Sequence, residues 1–74
     1  MQYRFVLLTN LIDSRHGYGI ASVVDCDGET MILESFVDIG TDYRAIKALV
    51  DRCNELELSP EHLTDVVSDF LADI

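Results

Sequence analysis

Positive charge is scarce in this sequence, and long apolar runs, clustered glycines and paired cysteines are missing from it. Five Lys and Arg stand against fourteen Asp and Glu, for a net charge of -9. Such a surface repels free nucleic acid and anionic membrane, so neither is expected as a direct ligand. The apolar run near the start, Phe5–Leu8, is too short for a signal-peptide core or a membrane span. No targeting segment is visible, and the expected location is the cytoplasm. Cys26 and Cys53 make neither a CxxC pair nor a disulfide framework, which suits a reducing compartment. The four glycines are dispersed, so no phosphate-cradling loop is formed.

What is present points to a single domain over residues 1–74 with one core. Apolar residues make up 49% of the chain, the level of a globular protein rather than a disordered one. The charge is unevenly placed. Residues 1–24 carry Arg4 and Arg15 against Asp13, whereas thirteen acids follow from Asp25 onward against Arg44, Lys47 and Arg52. A basic protein surface would be attracted to the acidic part, and solubility gains from the same charge.

Tyr3 to Leu11 reads as a strand, rich in β-branched, aromatic and leucine residues. Asp13 to Gly17 is a polar turn cluster, and a second strand is expected from Tyr18 to about Cys26. Asp27-Gly28 is the strongest hairpin signal, because a type I′ turn needs positive φ at both central positions. A third strand follows from Glu29 to about Val37, and short connections make the three an antiparallel meander. A first helix starts at Thr41 or Asp42 and buries Ile46, Leu49, Val50, Cys53 and Leu56, with Arg44, Lys47, Asp51 and Glu55 opposite. A second begins with Ser59 as N-cap, Pro60 at the first helical position and Glu61 in the first turn. Its stripe is Leu63, Val66, Val67, Phe70, Leu71 and Ile74. The expected fold is α+β: a three-stranded antiparallel β-meander followed by two antiparallel amphipathic helices packed on one face.

Several of these segments carry a resemblance. Tyr18-Gly19-Ile20, Asp38-Ile39, Cys53-Asn54 and the stretch from Leu58 to Leu71 resemble a family of short, acidic, uncharacterised proteins from Firmicutes. The resemblance implies a bacterial cytoplasmic domain and supplies no activity.

Candidate sites fare poorly against simpler accounts. Asp25-Cys26-Asp27-Gly28-Glu29 lacks the glycine and glutamate spacing of a calcium loop and is flanked by strands, so a hairpin turn explains it. His16 sits in the turn cluster without a second ligand at metal spacing. His62 is placed to face Asp65 across one helical turn. Ser14 and Ser59 have turn and capping roles and no triad around them. No catalytic, cofactor or metal residue is assigned, and an enzyme is not expected.

Two features remain. Two helices cover one face of a three-stranded sheet, yet apolar residues occur at both parities of the strands. With Asp27-Gly28 as a two-residue loop, Met31, Leu33 and Val37 are expected to face the helices. Val23, Ile32 and Phe36 are left on the other face, where they could take a homodimer partner or another protein. The second feature is Glu61, Asp65, Asp69 and Asp73, four apart and in one arc of the second helix. Glu61 suits the positive helix start, but Asp69 and Asp73 oppose the negative helix end, at about 0.3–1 kcal/mol each. The leading expectation is a non-enzymatic interaction or regulatory protein, docking on a basic partner through the acids, the sheet face or both. A DNA-mimicking inhibitor of a nucleic-acid enzyme, carried by a mobile element, is the alternative.

Overall fold

Residues 2–72 are described by a computed structural model, and two tight turns organise its sheet. The strands are β1 (Gln2–Ile12), β2 (Arg15–Cys26) and β3 (Glu29–Gly40), in the order β1-β2-β3, all antiparallel. Asp27 and Gly28 have φ of 52° and 80°, the pair of positive values that the Asp-Gly sequence supplies. Asp13 and Ser14 do the same at 51° and 66°. The first turn is therefore only two residues long. Arg15, His16 and Gly17, expected in a loop, extend β2 and pair with Ile12, Leu11 and Asn10. Arg15 and His16 are exposed, so no apolar alternation was needed there and none was written into the sequence.

After the second turn the register begins as expected, with Val24 opposite Met31 and Val23 opposite Ile32. A bulge then places Glu34, not Leu33, opposite Ser22, and every later side chain changes face. Phe36 thus lies opposite Ile20 and packs on the core beneath the helices, not on the open face. Val37, expected to face the helices, is exposed. A second irregularity sets Gly40 opposite Tyr18, with Asp38 at a positive φ of 53°. It returns Ile39 to the core and extends β3 beyond the expected end at Val37. Gly19 makes this possible, because a Cβ there would collide with the Phe36 carbonyl oxygen and lie 2.9 Å from Val37 Cα.

The first helix, α1 (Tyr43–Glu55), is capped by Asp42, whose carboxylate accepts from the Arg44 N–H at 3.0 Å. Ile46, Val50 and Cys53 are buried along one stripe as expected, but Leu56 falls at the cap and is exposed. The helix ends with Leu58 N–H donating to the Cys53 carbonyl at 3.2 Å and Glu57 N–H to the Asn54 carbonyl at 3.1 Å. This pattern requires a left-handed residue, here Glu57 at φ 51°, where glycine is the unstrained choice. Glu57→Gly is expected to raise stability by about 0.5–1 kcal/mol, read from urea denaturation. A loss would show that the Glu57 side chain has a compensating role.

The second helical segment opens with a 3-10 turn (Pro60–His62) and continues as α2 (Leu63–Ala72). Ser59 occupies the N-cap position, but its side chain makes no capping hydrogen bond, contrary to expectation. The His62 N–H donates to the Ser59 carbonyl at 3.0 Å instead. Both helical segments contribute to a core of Phe5, Ile20, Ile39, Ile46, Val50, Cys53, Leu63 and Val67. Tyr18 and Tyr43 meet edge to face at 5.4 Å, joining β2 to the start of α1. Thr64 donates to the Glu34 carboxylate at 3.1 Å and ties α2 to β3.

Candidate interaction surface

The acids of the second helical segment stand on its outward side because Leu63 and Val67 are turned into the core. Glu61 is exposed in the 3-10 turn, and Asp65 and Asp69 are exposed on α2. Asp73 and Ile74 lie outside the described residues. Among the described residues the ion pairs are Arg4–Asp25 and Lys47–Asp51, so neither Asp65 nor Asp69 is in an ion pair and the expected His62–Asp65 pair is not formed. Around α2, each step of four residues advances about 40°. The row therefore turns from the crest at Asp65 towards α1 at Asp69.

At that edge lies a groove the sequence reasoning missed. Leu49, Arg52, Cys53 and Leu56 of the α1 side and Leu58, Val66, Asp69 and Phe70 of the α2 side line an open cavity of about 430 Å³. Its floor and walls are mainly apolar, with one cation on one wall and one acid on the other. Phe70 also lines a second hollow of about 320 Å³ with Ile39, Ala45 and Ile46. The apolar stripes of the two helices are thus wider than the sheet beneath them can cover. The signal was present in Leu56, which extends the α1 stripe to one side instead of along its buried centre. Cys53 touches the groove, but burial pushes its thiol pKa up, with the Arg52 charge only partly opposing this. It is therefore a poor nucleophile.

The sheet face departs from expectation. Val23 is only 3% exposed and Ala21 is fully buried, although no helix covers their side. Their cross-strand neighbours are Arg4 and Ile32 for Val23, and Val6 and Ser35 for Ala21. Ile32 itself is 64% exposed. Apart from Ile32 on this face, the accessible apolar residues of the sheet are spread along β3, in Met31, Leu33 and Val37, rather than across the sheet centre. At the turn end of the same face, Asp25 accepts from Arg4 Nε at 2.9 Å and from Thr30 Oγ1 at 2.6 Å. These bonds, Arg4 first, hold its carboxyl below the usual range.

Among the described residues no three His, Cys, Asp or Glu side chains are grouped as metal ligands, and no helix is long and apolar enough to cross a membrane. Residues 1–73 match the family model described as a family of unknown function, DUF6514. Neither curated proteins nor solved structures give a match to the chain.

Proposed function

We propose that this chain, which belongs to the DUF6514 family of unknown function, is a non-enzymatic interaction module. It binds a basic, amphipathic segment of a partner protein along the groove between α1 and α2. The observation that carries this reading is the pairing of an apolar groove with exposed acids that form no ion pair, Asp69 at its rim across from Arg52 and Asp65 one turn earlier on α2. Apolar contact in the groove supplies affinity. The acids select for basic partners and hasten encounter. A row of acids alone would suit a DNA mimic equally; the apolar groove favours a protein segment. The reading takes the protein as cytoplasmic, which its two free thiols support.

A synthetic helical peptide with leucines on one face and lysines on the other tests this by titration. It is expected to bind with perturbations at Leu56, Val66 and Phe70. Asp65→Lys with Asp69→Lys should weaken binding about tenfold. The same double substitution should leave the fold intact, since a cation at position 69 late in α2 suits the helix dipole and one at exposed position 65, in the first turn, costs only about 0.3–1 kcal/mol. Binding indifferent to it would sink the proposal.

A further inference from the structure

The two edges of the sheet are treated differently. On β1 the Asn54 side chain acts as a short strand: its Oδ1 accepts from the Phe5 N–H at 2.8 Å, and its Nδ2 donates to the Phe5 carbonyl at 2.9 Å. Among the described residues no hydrogen bond reaches the outward backbone of Glu29–Leu33 on β3. That stretch has no Pro and no Lys, the usual means of blunting an edge. The bulge at Glu34 ends it.

The ladder fixes which groups are free. Both polar groups of the Phe5 backbone point away from β2, so those of Val23 point towards β1 and those of Val24 towards β3. Met31, opposite Val24, then points inward, and the N–H and C=O of Thr30 and Ile32 point outward. We propose that this edge pairs with the same edge of a second copy of the chain, across a two-fold axis at Met31.

In that register Thr30 exchanges both hydrogen bonds with Ile32 of the other copy, and the two sheets become one of six strands. Glu29 falls opposite Leu33 and Gly28 opposite Glu34, so no acid faces an acid despite the -9 charge of each chain. Met31 meets its own copy on the helix side, and Ile32 is flanked on the open side; they are 57% and 64% exposed in the single chain. The area is consistent with this pairing. The chain exposes 5136 Å², against about 4,600 Å² for a compact monomer of its mass. Hiding that excess on two chains buries about 1,000 Å², the low end of specific interfaces, so the dimer is a weak one.

This pairing goes beyond the groove reading and does not depend on it. Salt separates the two, because screening strengthens association between like-charged chains and weakens capture of a basic peptide. Sedimentation equilibrium from about 10 μM to about 1 mM, at about 0.1 M and about 0.5 M salt, is the test. The expected result is a reversible dimer favoured by salt, weakened about tenfold or more by Met31→Lys, which sets two cations at the axis. Thr30→Pro should have the same effect, since it removes an outward backbone N–H that the monomer does not use; the exposed Thr30 hydroxyl bond to Asp25, lost as well, lies within the chain and not at the pairing edge. Circular dichroism should show both variants folded. A monomer throughout the range overturns the proposal, and so does a dimer insensitive to both substitutions.

Discussion

Gly19→Ala is expected to cost about 3 kcal/mol or more and to lower Tm by about 12–24 °C. The added methyl group would meet the Phe36 carbonyl oxygen and Val37 Cα, both main-chain atoms of β3. Neither can swing aside as a side chain would. The strand must move outward or give up its irregular crossing, and either change loosens Phe36 from Ile20 and draws Ile39 from the core. Gly28→Ala is the control. A Cβ there meets nothing within 4 Å, so only the positive φ of 80° is penalised, at about 1 kcal/mol. Thermal unfolding of both variants checks the contrast. Equal losses would mean that the close approach of β3 to Gly19 is not what holds the irregular register.

Ile46→Ala should remove about 2–5 kcal/mol, and Ile46→Val only about 0.5–1.5 kcal/mol. Ile46 is fully buried and belongs to the cluster that joins α1 to Ile20 and Ile39 of the sheet. A domain of this size has roughly 4–11 kcal/mol in total, so the alanine variant would sit near the edge of folding. Urea titration should show a lower midpoint for both variants with the slope little changed. A small loss for Ile46→Ala would show that the helix layer closes over the cavity, which the adjoining hollow lined by Phe70 makes the specific alternative.

The element order was legible because each element carried its own local signal. Asp27-Gly28 named its turn, Thr41-Asp42 narrowed the cap to two residues, and Ile46, Val50 and Cys53 kept helical spacing. What escaped was set by contacts between distant residues. The bulge at Glu34 reversed the faces of Phe36 and Val37, and no side chain near Leu33 announces it. Gly19 held the explanation for the second irregularity, yet a glycine within a strand only hints at a close backbone approach. Asn54 carries no local signal of its role, because its two bonds to Phe5 depend on a strand forty-nine residues earlier.

The candidate surface was half legible for the same reason. Exposure of Glu61, Asp65 and Asp69 follows from helical periodicity alone. The groove beside Asp69 depends on how far α1 and α2 stand apart, which periodicity does not encode. Val23 lies on the face its parity gives, but its burial between Arg4 and Ile32 of the neighbouring strands is not encoded in that parity.

The account rests on the acids of α2 selecting a basic segment for the groove, and the salt dependence of peptide binding tests this most directly. The basic amphipathic peptide would be titrated against the native protein and the Asp65→Lys, Asp69→Lys variant at about 0.05 M and about 0.5 M salt. Native affinity is predicted to fall about tenfold or more over that range, while the variant's weaker affinity stays nearly constant. Equal affinities that ignore both salt and substitution would contradict the account.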